Sequence, residues 1–253
     1  MLLKSLSCFR NFSSTQALLN SVTNPKSISE AVELLSTGPG FIIYTGLIPE
    51  TEIDEIQTYT KNFVNSKGFE VLDAHNVNQE TGHNRIYSDK GKQGVRMWDL
   101  VPKHEIFEKW VQLEPIMSVL DKILGHDFCL GSFAGNHLFP GAMAQSPHLD
   151  YPYWDYDCEK TWPVLPKRCG EHPFFMNCQT AIMVDDFTEE NGATSILPYS
   201  QRELSWPNEE VFWNKRIQVT GKAGSVLVFT GLLHHAGSTN FSDGCRTSVL
   251  GQY

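Results

Sequence analysis

Two residues of chemical interest, His148 and Asp150, stand one position apart in the segment SPHLDY (146–151). In an extended strand, residues i and i+2 face the same side, so the imidazole and the carboxylate could reach one point in space. A convergent imidazole and carboxylate supply two of the ligands that a divalent metal ion commonly takes. An isolated His-x-Asp pair is more often an ordinary polar strand surface, so the rest of the chain has to decide between the two interpretations.

Further segments in the C-terminal half supply the other groups that such a site would use. The segment SVLVFTGLLHHAGSTN (225–240) predicts a strand that leads into His234 and His235. Arg246 stands at the start of the last strand-like segment. Two histidines and one carboxylate on one face leave three metal positions open, which is the pattern of the facial triad of non-haem iron(II) oxygenases. A buried arginine can then bind the far carboxylate of a 2-oxo acid, because its planar fork makes two hydrogen bonds to that group.

The elements that must position these residues change in type along the chain. GFIIYTGLI (40–48) predicts a buried strand, after which Pro49 opens a helix with acidic residues in its first turns. PIMSVLDKILG (115–125) predicts a second helix. From about residue 127, short apolar segments alternate with turn residues, without helical patterns between them. The sequence therefore predicts a mainly β fold with N-terminal helices, of the sandwich or barrel type to which jelly rolls belong, with regular structure starting near residue 28.

Bulk composition excludes several classes of protein. Of the 253 residues, 41% are hydrophobic and 19% are charged, which is ordinary for a soluble globular protein. A net charge of −9 disfavours nucleic acid or anionic membrane as the main partner. No apolar run approaches the roughly 18 residues of a membrane span, and nothing in the sequence indicates an oligomeric state. The six cysteines form no Cys-x-x-Cys pair, which favours reduced thiols in an intracellular compartment.

The N-terminal segment 1–27 is basic, rich in Ser and free of acidic residues, the first of which is Glu30. Organelle transit peptides have this composition. Arg10, three residues before Ser13, also resembles the arrangement at a mitochondrial processing site. A disordered N-terminus explains the composition equally well. We therefore expect a flexible segment over 1–27, a candidate transit peptide, followed by one domain over 28–253 in a mitochondrial or cytoplasmic protein.

Taken together, these motifs resemble the phytanoyl-CoA dioxygenase family of iron(II)- and 2-oxoglutarate-dependent oxygenases. The matching segments are HLD (148–150), DDFTEENGATSILPYS (185–200) and LLHHAGSTNFSDGCR (232–246), and the resemblance covers roughly residues 40–253. In the family pattern, an Asn follows the second metal-binding His by five residues and an Arg follows it by eleven. Asn240 and Arg246 stand at these distances from His235, so the spacing selects His235 and not His234.

The resemblance implies a fold, a site and a set of cofactors. The fold is a double-stranded β-helix, a jelly-roll or cupin-like barrel. His148, Asp150 and His235 would hold Fe(II) as the catalytic metal centre, and Arg246 would bind the co-substrate 2-oxoglutarate. Dioxygen completes the reaction, and ascorbate is a candidate supporting reductant. The carboxylate of Asp150 favours hydroxylation of carbon, because halogenating relatives replace it with a small residue.

Other positions stay open at this level. Arg96 stands where some relatives carry a basic residue that reaches 2-oxoglutarate, although a solvated side chain explains it equally. Asn136 and Gln145 flank the metal-binding segment and could contact either the co-substrate or the substrate, or neither. Gly237 departs from the Ser or Ala that relatives often carry there, which puts a hydroxyl contact to 2-oxoglutarate in doubt.

The sequence predicts an Fe(II)- and 2-oxoglutarate-dependent dioxygenase that hydroxylates a small or medium-sized metabolite, with release of succinate and CO2. The aromatic segment 151–173, which follows the metal ligands, suits a compact and partly apolar substrate, and its three basic residues are outnumbered by four acidic ones. That balance argues against a phosphate-binding cradle for CoA. Acyl-CoA hydroxylation, a non-catalytic cupin-like binding module and a zinc hydrolase are the alternatives, and Arg246 argues against the last two.

Overall fold

Most helices lie in the first half of the chain and most strands in the second half. The computed structural model describes residues 14–66, 94–150, 168–169, 172–173, 175–203 and 205–253. The helices are α1 (Thr15–Val22), α2 (Ile28–Ser36), α3 (Glu50–Ser66), α4 (Glu105–Trp110), α5 (Ile116–Leu124) and α6 (Glu209–Lys215). The strands are β1 (Phe41–Tyr44), β2 (Gly94–Met97), β3 (Ser132–Leu138), β4 (Arg168–Cys169), β5 (His172–Pro173), β6 (Cys178–Met183), β7 (Ser195–Ile196), β8 (Ile217–Gln218), β9 (Val226–Thr230), β10 (His235–Ala236) and β11 (Arg246–Gln252).

The strands form antiparallel sheets. The largest has the order β1-β9-β6-β11-β3-β2, and the second has the order β10-β7-β8. A two-stranded sheet joins β4 to β5. All pairs between these strands are antiparallel. The predicted mainly β architecture with N-terminal helices is confirmed, whereas its closure into a jelly-roll barrel stays a prediction.

The two faces of the large sheet pack against different layers. Side chains alternate between the faces of a strand, and on β9 Val228 packs in a cluster with residues of α2, α3, α4 and α5. Its neighbour Leu227 packs in a second cluster that contains Ile196 of the small sheet. We call the face that carries Leu227 the inner face. It lies toward the small sheet and α1, and helices α2 to α5 cover the opposite face.

The large sheet positions polar side chains in rows across its inner face. Arg96 of β2 pairs with Asn136 of β3, which in turn pairs with Ser248 of β11. Arg246 lies two positions earlier on β11, opposite Leu138. Both arginines therefore stand on the same face, although β2 is an edge strand and β11 is central.

Helices α1 and α6 lie where the sequence analysis predicted no helix. Regular structure is already present at Thr15, before residue 28, because Leu18, Leu19 and Val22 are buried in the second cluster. Helix α6 interrupts the part that was expected to lack helices, and the side chain of Asn208 caps its N-terminus. The first thirteen residues lie outside the described part, so the transit peptide stays a prediction. Among the described helices, none has the length and apolar character needed to cross a bilayer.

Candidate metal centre

Two neighbouring side chains, His148 and Asp150, converge at the inner face with His235, which is distant in sequence. The candidate ligand atoms of His148, Asp150 and His235 all lie within 4.8 Å of one another. The Nε2 atom of His235 is 3.3 Å from Oδ2 of Asp150, and Nε2 of His148 is 3.9 Å from Oδ1. Within the described ranges, no other group of three or more His, Cys, Asp and Glu residues has this geometry. The convergence has the composition that a metal centre with two imidazoles and one carboxylate requires.

Backbone pairing brings the two histidines face to face. The N–H of His148 donates to the carbonyl of His235 at 2.9 Å, and the N–H of His235 donates back to His148 at 2.9 Å. This is an isolated antiparallel bridge and not a continuous strand as the sequence suggested. Asp150 shares the face of His148, as the i, i+2 rule predicts, and Leu149 between them is buried.

Both imidazoles are oriented by main-chain carbonyl groups. Nδ1 of His148 lies 2.8 Å from the carbonyl oxygen of Ser146, and Nδ1 of His235 lies 2.9 Å from that of Leu233. Each Nδ1–H then donates to a carbonyl, so Nε2 is the nitrogen that carries the lone pair with which an imidazole binds a metal ion. Burial alone lowers the pKa of His235, but the charge and hydrogen bond of Asp150 outweigh it and raise the pKa above its ordinary value. The donor set therefore fits a divalent cation such as Fe(II).

Arg246 lines the cavity that also contains His148, Asp150 and His235. It is buried, with 3% of its surface exposed. Its guanidinium carbon lies 4.3 Å from the centre of the Phe187 ring, and Nη1 donates to Oγ of Ser248 at 3.3 Å. Burial lowers its pKa to about 10, while Asp185 opposes this shift. Its Nε has no hydrogen-bond partner among the described residues, and no described carboxylate forms an ion pair with it. A buried cation in this state is suited to receive an anionic ligand.

Arg96 faces the cavity as well. Its guanidinium carbon lies 5.0 Å from the centre of the Trp98 ring, and its Nε is buried without a partner in the described part of the chain. Burial lowers the pKa of Arg96 to about 10, against an opposing effect of the charge of Asp150. Arg96 is half-buried, and its side chain lines the cavity, so it is not the fully solvated side chain that the sequence also allowed.

Gln145 occupies the space that a larger residue at position 237 would need. Its Oε1 accepts the N–H of Gly237 at 2.7 Å, and a Cβ on Gly237 would lie 2.8 Å from the same oxygen. Because the main-chain N–H is a donor, it defines which end of the amide is Oε1. Gln145 and Gly237 both line the cavity with the two arginines. A carboxamide therefore lies where a side chain at position 237 would extend.

His234 and Asn240 take structural positions around the triad. Nε2 of His234 lies 2.7 Å from the carbonyl oxygen of Ser205, and burial lowers the pKa of this imidazole to about 4. Asn240 is fully buried and donates to the carbonyls of Phe139 and Gly244 at 3.1 and 2.8 Å. It therefore holds the turn that connects β10 to Arg246.

Several residues at the site carried no local signal in the sequence. The ring of Phe229 packs against that of His235, with 4.8 Å between their centres, and Asn177 donates to the carbonyl of Asp150 at 2.9 Å. Both residues come from strands of the large sheet or their ends, so only the sheet topology brings them here.

The cavity has a volume of about 320 Å³. The predicted aromatic loop, Tyr151, Tyr153, Trp154, Tyr156 and Trp162, lies outside the described residues.

Comparisons with known proteins are consistent with this geometry. A family model described as phytanoyl-CoA dioxygenase (PhyH) matches residues 37–248. The chain is 25% identical over 235 residues to Dioxygenase trt7 of Aspergillus terreus (strain NIH 2624 / FGSC A1156), which covers 88% of this chain and 72% of that relative.

Two solved structures share the fold. One is the non-heme alpha ketoglutarate dependent epimerase SnoN from nogalamycin biosynthesis, with a TM-score of 0.64 and 14% identity over 90% of this chain and 83% of that one. The other is the carbocyclase SnoK from the same biosynthesis, with a TM-score of 0.62 and 17% identity over 91% of this chain and 86% of that one.

Proposed function

The chain belongs to the phytanoyl-CoA dioxygenase family and is a 2-oxoglutarate-dependent non-haem iron dioxygenase, and on this premise we propose that it hydroxylates a carbon of a small or medium-sized metabolite. The observation that carries the proposal is the presence, in one cavity, of the His148, Asp150 and His235 cluster and the buried guanidinium of Arg246. Neither a zinc hydrolase nor a non-catalytic binding module needs a buried arginine at such a centre.

We propose that His148, Asp150 and His235 hold Fe(II) in a double-stranded β-helix, formed by the two facing sheets. When bound, the iron supplies the site at which dioxygen is activated as 2-oxoglutarate is decarboxylated to succinate and CO2. The carboxylate of Asp150 occupies the position that a halogenating enzyme would need for chloride. Its presence supports hydroxylation.

The chain's own residues then bind and orient the co-substrate. Arg246 binds the far carboxylate of 2-oxoglutarate through its fork of N–H donors, in a buried setting where charge-assisted hydrogen bonds are strong. Arg96 provides a second cationic contact to the co-substrate from the edge of the same face. The Nε2 group of Gln145 donates to the co-substrate, since its Oε1 is engaged by Gly237.

The cavity favours a compact substrate over an acyl-CoA. Its volume of about 320 Å³ is near the lower end of small-molecule sites, and 2-oxoglutarate must share it. Among the described lining residues, the only cationic side chains are Arg96 and Arg246, which leaves no basic cluster for the phosphates of CoA. Four carboxamides line the cavity, and they suit a substrate with polar groups: Asn136, Gln145, Gln179 and Gln252.

Anaerobic titration with Fe(II) and 2-oxoglutarate tests the centre. We expect a metal-to-ligand charge-transfer absorption band in the wild-type protein, and its absence from folded protein would favour the binding-module alternative. Succinate release, measured against panels of acyl-CoAs, free acids, amines and terpenoid-like molecules, then tests the substrate class. Stimulation by acyl-CoAs alone would overturn the small-metabolite proposal.

The product tests the reaction type. Incorporation of one atom from isotope-labelled dioxygen into the product is expected for hydroxylation. Substrate consumption without such incorporation would instead indicate an outcome such as the epimerisation or ring closure that the names of SnoN and SnoK describe. The compartment, mitochondrial or cytoplasmic, stays a prediction.

A further inference from the structure

We propose that Asn177 and Gly231 form a positioning pair that sets the orientation of Asp150, and this inference rests on the proposed role of Asp150 as an iron ligand. The pair holds the main chain of Asp150 from both sides. The N–H of Asp150 donates to the carbonyl of Gly231 at 2.8 Å, and the carbonyl of Asp150 accepts Nδ2 of Asn177 at 2.9 Å. The N–H of Gly231 donates to the carbonyl of Asn177 at 3.2 Å, which closes a ring of three residues.

The absence of a side chain at Gly231 is what admits the Asn177 amide. A Cβ on Gly231 would lie 1.7 Å from Oδ1 of Asn177 and 2.9 Å from its Nδ2. Gly231 is not among the glycines with positive φ, so its backbone conformation does not require glycine. Space for the carboxamide is therefore the physical reason for glycine at this position.

The large sheet anchors both members of the pair. Asn177 immediately precedes β6, Gly231 immediately follows β9, and Cys178 pairs with Thr230 across these two strands. His235 belongs instead to the small sheet, through β10. The segment 148–150 is therefore hydrogen-bonded to the small sheet at His148 and to the end of the large sheet at Asp150, and Asn177 and Gly231 fix the second of these attachments.

A small rotation of the peptide at Asp150 would move its carboxylate relative to both imidazoles. Its oxygens lie 3.3 and 3.9 Å from the two Nε2 atoms, and a metal centre needs ligand positions accurate to a few tenths of an ångström. The Nδ2 group of Asn177 donates to the main-chain carbonyl of Asp150, which is not a candidate ligand atom. Asn177 therefore acts through Asp150, as groups that orient a ligand do in other metal sites.

The test is a double-mutant cycle on Fe(II) affinity, measured anaerobically with the purified chain. Asn177→Ala removes the donor, and Gly231→Ala displaces it. We expect each change to raise the Fe(II) dissociation constant by about 10- to 100-fold. The double variant should bind Fe(II) no more weakly than the worse single variant, because an alanine at 231 has no amide left to displace. The charge-transfer band with 2-oxoglutarate should shift in the single variants.

Asn191→Ala is the matched control. Asn191 also bridges main-chain groups with its side chain, accepting from Thr188 at 2.9 Å and donating to Asp186 at 2.7 Å, and both of these partners lie outside the triad. The change should lower thermal stability and leave the Fe(II) dissociation constant unchanged. Asn177→Leu, which fills the same space without a donor, replaces Asn177→Ala if the alanine variant does not fold.

Several results would overturn the inference. Wild-type Fe(II) affinity in folded Asn177→Ala or Asn177→Leu would remove the role of the amide. Multiplicative losses in the double variant would show that the two residues act separately. Failure of the wild-type protein to bind Fe(II) would overturn the proposed function and this inference with it, whereas loss confined to the variants supports both.

Discussion

His148 and His235 face each other across a two-residue antiparallel bridge, with 4.3 Å between the centres of their rings. The bridge joins the segment before β4 to the small sheet. It directs both imidazoles to the side on which Asp150 lies, and the main-chain carbonyls of Ser146 and Leu233 orient each ring. The geometry of the candidate centre is therefore largely set by backbone hydrogen bonds. Side-chain substitutions should leave these bonds in place, so the role of each side chain can be tested separately.

Replacement of either His148 or Asp150 with alanine should abolish 2-oxoglutarate turnover, because two ligands do not hold Fe(II) in the required arrangement. Succinate release under air measures the effect. His126→Ala is the control, since His126 is largely exposed and remote in sequence from the triad, and it should retain wild-type turnover. Full turnover in either ligand variant would contradict the proposed centre.

Arg246→Lys should raise the KM for 2-oxoglutarate by about 10- to 100-fold while leaving Fe(II) affinity near wild type, because lysine keeps the charge and loses the planar fork. Steady-state kinetics with varied 2-oxoglutarate measures the change. Arg202→Lys, at an exposed position, is the matched control and should be neutral. An unchanged KM in Arg246→Lys would show that the far carboxylate binds elsewhere.

Gly237→Ala should weaken 2-oxoglutarate binding less than the change at Arg246 does. The added Cβ would lie 2.8 Å from Oε1 of Gln145 and force that side chain to move. Gln145→Ala should have a similar effect, of roughly 3- to 10-fold in KM, which corresponds to the loss of one neutral hydrogen bond. Equal KM values in both variants and the wild type would exclude Gln145 as a co-substrate contact.

The thermal stability of the metal-free protein should fall as the pH decreases through about 6.5, in part because of His137. Burial lowers the pKa of His137, with Asp185 opposing this shift and Arg246 adding to it. The unfolded chain then binds a proton more readily than the folded chain, so the contribution of His137 is complete above the unfolded pKa and is lost below it. Unfolding temperatures from pH 8 to 5 should depend less on pH in His137→Gln. Identical slopes would rule out this contribution.

A chain that begins at Ser14 should be as stable as the whole protein, whereas one that begins at Ile28 should unfold at a lower temperature. Helix α1 buries Leu18, Leu19 and Val22, and fully burying an apolar side chain contributes roughly 1.5–3 kcal/mol. Thermal unfolding of the two truncated chains measures the difference. Equal stability would show that α1 contributes little to the core.

The sequence alone determined which residue types are available and how they are spaced. The i, i+2 spacing of His148 and Asp150 places both side chains on one face of an extended segment, whatever that segment pairs with. The alternation of short apolar segments with turn residues after residue 127 indicated the mainly β part. Asn240 and Arg246 follow His235 by the five and eleven residues of the family pattern that the chain resembles, and this match distinguished His235 from His234, whose imidazole the structure directs to Ser205. These features are local, so they can be read without knowing the fold.

Only the tertiary structure decided which residues meet. Helix α1 was missed because its three apolar residues become informative only when β1 and β9 are present to cover them. Arg96 was undecided because burial of an edge-strand arginine depends on the layer that faces it. Asn177 and Gly231 carried no signal, since a glycine that makes room for an amide looks like any other glycine until the strands β6 and β9 are paired. Long-range pairing places these groups, and the periodicity of a sequence does not encode which strands pair.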